Sequence, residues 1–409
     1  MNTLLKMALR NIFRQKQRTI ITVLSMLFGY ALLSVSLSVG EGSYNVIIRQ
    51  FTDNNTGHIQ IHHQDYLNKP SINSDIKNPE DIYNQINQTF PKARISSRIK
   101  GSALAYGKKR VLPVPVVGIQ PNAENQVTQL AKKVKEGHYF PNSSNQELAP
   151  ALVGKKLAGK LQLGIGDELV LISSGADGSI ANDVYQVSGI VGSEESMAAN
   201  QIYLNLQDAR NFFSMPSSVH EIIIALTDYT QARQGAVLLQ NATDTLKTLA
   251  VDPWQNVEKE FYRSMEADKQ GNSVTMLIIM FMVGVSVLNT VLMSVFERMR
   301  EYGLLRAIGV KPNRIISLVL LESSILSALG CTGGFLLALP VNYWFQEVGV
   351  PLTPPFEIGG MLFDRITGEI SLYTMLFPSA LVFTTAVLVS LLPALRAARV
   401  SPIEVLAHD

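Results

Sequence analysis

Gly154-Lys155-Lys156-Leu157-Ala158-Gly159-Lys160 has the glycine and lysine spacing of a phosphate-cradling loop, and it follows the apolar Ala151-Leu152-Val153. The next residue is Leu161, so the hydroxyl that would hold Mg²⁺ is missing. A short helix turning Leu157 and Leu161 inward accounts better for the same residues. His58, His62 and His63 invite a metal site, because His58 and His62 share one face of an extended strand. No cysteine is available and Asp65 is the nearest acid. The histidines are therefore expected to be solvated on an exposed strand, with no metal bound. A nucleophile elbow, an H-E-x-x-H helix and a Gly-rich dinucleotide loop are all missing, so no catalytic residue is assigned.

The elements carrying these residues are set by an uneven apolar distribution. Only 17% of the 409 residues are charged, against about 25% in an average soluble domain. A net charge of +2 argues against nucleic-acid binding, and the single cysteine, Cys331, excludes an internal disulfide. Residues 20–39, 273–296 and 372–395 contain no charge, and 315–345 contains only Glu322. Each run is long enough to cross ~30 Å of hydrocarbon at about 1.5 Å per residue. The first run outlasts a signal-peptide core and ends in Gly40-Glu41-Gly42, so it reads as an uncleaved anchor.

Lys6, Arg10, Arg14, Lys16 and Arg18 precede the first run. Arg298, Arg300, Arg306, Lys311 and Arg314 lie between the second and third. Arg396 and Arg399 follow the fourth, whereas 346–371 holds only Arg365. These flanks put both termini in the cytoplasm. The expected organisation is a cytoplasmic arm 1–19, spans 20–41, 272–296, 315–345 and 372–395, a cytoplasmic segment 297–314, an outer loop 346–371 and a cytoplasmic tail 396–409. The external block 42–271 alternates strand patterns (His58–His62, Val114–Val117, Leu169–Ile172, Glu221–Leu226) with helical ones near 79–90, 121–135, 205–214 and 230–250. It reads as an α+β domain of two lobes inserted between the first and second spans, with an inner lobe at about 100–200. The fold class is an α-helical membrane domain of four transmembrane helices plus this domain.

Phe296, Met299, Gly303, Leu304, Ala307 and Ile308 form an apolar stripe in a charged segment, the pattern of an amphipathic helix. Gly309 is placed to cap it and Pro312 to open the next helix. Such a helix fits a groove on a cytoplasmic protein, or a membrane surface where it reverses the chain; the residues alone support both. Glu322 is expensive inside an apolar run, so it is either interfacial and hydrogen-bonded to a neighbouring helix, or part of coupling or subunit contact. Asn289 is a weaker case. Met276, Met280, Met282 and Met293 suit either a surface for varied apolar ligands or lipid.

Three patches resemble the FtsX/MacB/LolC-LolE class of ABC transporter permeases, most nearly the lipoprotein-releasing permeases. Ala8-Leu9-Arg10-Asn11-Ile12-Phe13-Arg14 with Arg18-Thr19 is similar to the family's N-terminal entry. Residues Glu301 to Gly309 resemble E-x-G-x-L-[RK]-A-[IL]-G, and Leu392 to Leu406 resemble the family's C-terminal P-A-x-x-A-[AS] tail. Val153-Gly154 to Gly166-Asp167 is a weaker, fourth likeness. The resemblance implies a permease dimer, homo- or heteromeric. Each coupling helix, here Glu301, Gly303, Leu304, Arg306 and Gly309, would sit on a separate ABC ATPase dimer that binds ATP and Mg²⁺; this chain needs no cofactor of its own. ATP-driven closure would pass to the outer domain by mechanotransmission. Acyl chains in lipoprotein-releasing relatives lie between the first two spans, which makes Leu37, Val39, Met276 and Met280 candidate cavity lining. The implied setting is a Gram-negative inner membrane, with the lipid bilayer and a periplasmic carrier or adaptor as further partners. Implied alternatives are a MacB-like tripartite exporter and an FtsX-like signalling subunit.

Overall fold

The computed structural model describes residues 3–14, 16–140, 147–193, 196–242, 249–358 and 361–400. The Ser401–Leu406 part of the tail motif lies outside the described residues. The chain begins with α1 (Thr3–Arg14) and α2 (Lys16–Phe51), then β1 (Ile59–His63), β2 (Ile76–Lys77), α3 (Pro79–Thr89), β3 (Arg94–Tyr106) and β4 (Val111–Ile119). Next come α4 (Pro121–Thr128), β5 (Val134–Gly137), β6 (Ala149–Gly154), α5 (Lys155–Leu161), β7 (Glu168–Ser174) and β8 (Ile180–Val191). They are followed by β9 (Ile202–Asn205), α6 (Leu206–Phe212), β10 (Ser218–Val219), β11 (Glu221–Ala225), α7 (Ala232–Ala242), β12 (Leu249–Pro253) and α8 (Trp254–Val257). The chain continues through α9 (Lys259–Glu297), α10 (Met299–Ala307), α11 (Pro312–Glu347), β13 (Val350–Ile358), β14 (Met361–Ile366) and α12 (Leu372–Ala398). Two compact units result: 1–45, 265–351 and 365–409 in one, and 46–264 with 352–364 in the other.

In the helical unit, α2, α9, α11 and α12 are each long and apolar enough to cross a membrane. Helices α2 and α9 outrun the charge-free stretches; on α2, Tyr44, Ile48 and Phe51 keep an apolar i, i+4, i+7 spacing and are all buried. Val283, Val287, Val291 and Val295 form the buried stripe of α9, whereas Leu277, Ile278, Phe281 and Met282 on the other side are more than half exposed. Such an apolar surface needs lipid or another chain to cover it.

Small residues let α11 approach α2. A Cβ added at Gly330 would lie 2.6 Å from Met26 Cβ, and one at Gly334 would lie 2.7 Å from the Tyr30 ring. The i, i+4 glycine pair is thus a close-packing seam. Polar bonds tie α2 to α12 and to α11: the Tyr30 hydroxyl donates to Met375 O at 2.7 Å and Ser34 to Thr374 O at 3.0 Å on α12, and Asn342 Nδ2 of α11 donates to Ser34 at 3.0 Å.

The second unit is built on one mixed sheet in the order β12-β1-β11-β3-β4-β9-β6-β8-β5, with β7 pairing β3 and β8. Most pairs are antiparallel, and β4–β9 and β6–β8 are parallel. The helical pattern at 121–135 stops at Thr128, where Gln129 turns left-handed (φ 53°) and β5 follows from Val134. The pattern at 230–250 gives way to β12 at Leu249.

The histidine expectation is corrected here. β1 is internal to the sheet, with β11 and β12 on either side, so His58 and His62 are buried rather than solvated. His58 Nδ1 accepts from Leu226 N at 2.8 Å, and His62 Nε2 lies 3.3 Å from Asp252. Burial pushes the pKa of His58 below its ordinary value. The loop-like Gly154–Lys160 is the end of β6 and helix α5, with Leu157 and Leu161 buried. Gly154 is required by packing, since a Cβ there would meet Ala199 O at 2.3 Å. Asp167, after the left-handed Gly166, accepts from Gly164 N at 2.7 Å and pairs with Lys108 at 2.6 Å.

Candidate functional site

Helix α10 is delimited at both ends. Arg298 leaves the helical region and separates it from α9. At the other end Gly309 adopts φ +90°, its N–H bonds Arg306 O at 3.1 Å, and Val310 N bonds Leu305 O at 3.0 Å. This paired closure suits glycine because L side chains disfavour that backbone. Pro312 then opens α11 in its first turn.

The stripe read from sequence is corrected in part. Tyr302 and Gly303 are the buried residues of α10, with Met299 and Leu305 partly buried against the core. Leu304 is 53% exposed, Ile308 72% and Phe296 52%, and Ala307 is exposed as well. Tertiary packing overrides the helical-period pattern because Tyr302 is drawn under Arg298, whose guanidinium lies 5.3 Å from its ring centroid.

Beneath α10 sits a polar hub. Arg298 Nη1 donates to both Glu322 oxygens at 3.0 and 2.9 Å, and Asn11 Nδ2 donates to the same carboxylate at 2.5 Å. The Arg298 and Glu322 side chains are only 11% and 12% exposed. Glu301 joins Arg298 at 3.2 Å and Arg14 at 2.7 Å, and Arg18 pairs with Glu297 at 2.5 Å. Burial pushes the Glu301 carboxyl up, but Arg298 and Arg14 outweigh it and hold it below the usual carboxylate range. A small cavity of about 40 Å³, with Thr22, Ser294 and Ser323 in its wall, lies beside the pair. That is room for a water or two.

The five residues that the family resemblance marks on this segment have different surroundings. Glu301 binds the arm α1, Gly303 packs inward, Leu304 faces out, Arg306 Nη1 reaches Val310 O at 3.4 Å, and Gly309 closes the helix. Glu322 is paired, while Asn289 is exposed on the wall of a groove. Leu37 is buried, and Val39, Met276 and Met280 are half-buried; none of the four lines the cavity or the groove. The hub residues Arg298, Asn11 and Arg14 were not singled out from sequence as site residues. The signal was a lone carboxylate in an apolar run, which demands a cation at its own depth; Arg314, nearer in sequence, is exposed.

Four long apolar helices joined to a large mixed-sheet unit define a multispanning membrane protein. The model of the MacB-like periplasmic core domain matches residues 19–241, and that of the FtsX-like permease C-terminal region matches residues 273–402. The chain belongs to this family of ABC transporter permeases. It is 25% identical to the lipoprotein-releasing system transmembrane protein LolC of Xylella fastidiosa, over 76% of each chain. It is 22% identical to LolE of Haemophilus influenzae, over 94% of this chain and 93% of that one. It is also 23% identical to the macrolide export ATP-binding/permease protein MacB of Wolinella succinogenes, over 99% of this chain and 60% of that protein's length. The crystal structure of the periplasmic region of MacB from Actinobacillus actinomycetemcomitans aligns with a TM-score of 0.37 at 12% identity, covering 51% of this chain and 94% of that one.

Proposed function

We propose that the chain is the permease subunit of an ATP-driven transporter that extracts a lipoprotein or lipid-like substrate from a Gram-negative inner membrane. The carrying observation is α10, a helix locked from inside by Arg298, Glu301 and Glu322 that shows Leu304, Ala307 and Ile308 to its surroundings. An internally braced helix with an exposed apolar edge suits docking on a separate ATPase dimer, which would bind ATP and Mg²⁺ and work with a second permease. In this reading both termini are cytoplasmic, and the sheet unit lies in the periplasm between the first two spans. Its two lobes would share β3, whose Arg94–Arg98 end pairs with β11 and whose Leu104–Tyr106 end pairs with β7. The LolE likeness over nearly the full length of both chains favours lipoprotein release.

The second reading is a permease for a small molecule working with a periplasmic adaptor, favoured by the likeness to MacB. Purification with the cognate ATPase and mass spectrometry of bound molecules decides between them. Acylated protein in the complex is expected; a bound small molecule with an adaptor, and no acyl chains, would refute the lipoprotein reading.

A further inference from the structure

A groove of about 760 Å³ opens on the helical unit. Its polar end carries Arg14, Lys16 and Arg18; Arg18 pairs with Glu297 and Arg14 with Glu301, which leaves one positive charge in excess, that of Lys16. Its floor includes Ile21 and Met293, which are 60% and 54% exposed. Ile21 lies five positions after Lys16 on α2, and Met293 four positions before Glu297 on α9. At ~1.5 Å per residue, the charge and the apolar floor are about 6–8 Å apart. Arg14 is 71% exposed although its Nη1 reaches Glu301. Net positive charge one turn from exposed apolar surface, at the end of two membrane-length helices, matches the step from phosphate to acyl chain in a lipid.

We propose that this groove holds one anionic glycerophospholipid. Its phosphate sits against Arg14, Lys16 and Arg18, and the first part of an acyl chain covers Ile21 and Met293. A free phosphate would use the cations and leave the apolar floor wet, which is why the lipid is the occupant. The assignment rests on α2 and α9 lying in the bilayer, and otherwise stands apart from the substrate and the ATPase.

The test uses the full chain in phosphatidylcholine nanodiscs doped with phosphatidylglycerol, and native mass spectrometry counts the lipids retained on release. One phosphatidylglycerol per chain is expected to be retained in preference to phosphatidylcholine. Lys16→Gln should lower that retention about fivefold, the worth of one cation at an anionic surface. Met293→Trp, which fills the floor and leaves every charge in place, should lower it too. Equal retention of the two lipids, or no effect of either variant, overturns the proposal. Displacement by inorganic phosphate overturns the lipid as occupant. Cross-linking of a Lys16→Cys variant to a second copy, with loss of retained lipid, makes the groove a subunit contact and overturns it as well. Labelling of Met282→Cys by lipid-soluble but not water-soluble maleimide shows separately whether α9 is in the bilayer. If it is, and no phosphatidylglycerol is retained, the lipid site alone fails.

Discussion

Replacing Arg298 with alanine should destabilise the helical unit far more than deleting a surface ion pair would. Its Nη1 lies 3.0 and 2.9 Å from the two Glu322 oxygens, and the paired side chains are 11% and 12% exposed. Charge centres ~4 Å apart attract by about 4 kcal/mol at an effective dielectric near 20. Truncating one partner also strands the other in a poorly solvated place, so a loss of ~3–5 kcal/mol is expected. The remaining contacts of Arg298, to the half-exposed Glu301 and to the Tyr302 ring, add about 1 kcal/mol. An Arg298→Met/Glu322→Leu double variant removes both charges and keeps apolar bulk, so it should lose only ~1–2 kcal/mol. The assay is a double-mutant cycle on unfolding of the full chain in mixed micelles titrated with a denaturing detergent. Additivity of the two single changes within ~0.5 kcal/mol would refute the buried-pair reasoning.

Two further outcomes follow from the packing and the titratable groups. Gly334→Leu drives a side chain into Tyr30, against which even a Cβ would lie at 2.7 Å, so the α2–α11 seam should open and the detergent-solubilised chain lose several degrees of thermal midpoint; an unchanged midpoint would contradict the seam. In the sheet unit, burial lowers His58 and His220 below their ordinary 6.5. The unfolded chain therefore takes up protons first, and stability present above pH 6.5 is lost as pH falls through the folded values. Burial would raise Glu124, but Arg98, Ser96 and Thr128 outweigh it and hold it below its usual 4.5, adding a second loss at lower pH by the same sign. Urea midpoints followed through the buried Trp254 in a Trp344→Phe background should drop between pH 7.5 and 5.5, and less so in His58→Gln; a flat or rising midpoint would contradict this.

Much of this was legible because apolar runs declare membrane-length helices without reference to the rest of the chain. Gly309 and Pro312 marked the ends of α10 and α11 for equally local reasons: one backbone angle, one missing N–H. What escaped was set by distant partners. His58 and His62 look like strand-surface residues until β11 and β12, more than 150 residues later, pair on both sides of β1. The stripe on α10 carried a correct helix and a misplaced face, since a cation–aromatic contact and an ion pair from α11 decide which side turns in. Glu322 announced that it needed a partner, but helix periodicity cannot say which arginine reaches its depth.

In the proposed assembly α10 docks on a separate ATPase through its exposed side. A photo-cross-linking amino acid placed in turn at every position from Met299 to Ile308, in the complex with the cognate ATPase, tests it most directly. Cross-links to the ATPase should peak at Arg300, Leu304, Ala307 and Ile308 and vanish at the buried Tyr302 and Gly303. Absence of cross-links along the whole helix, in a complex whose ATP hydrolysis still responds to substrate, would show that α10 is not the docking element.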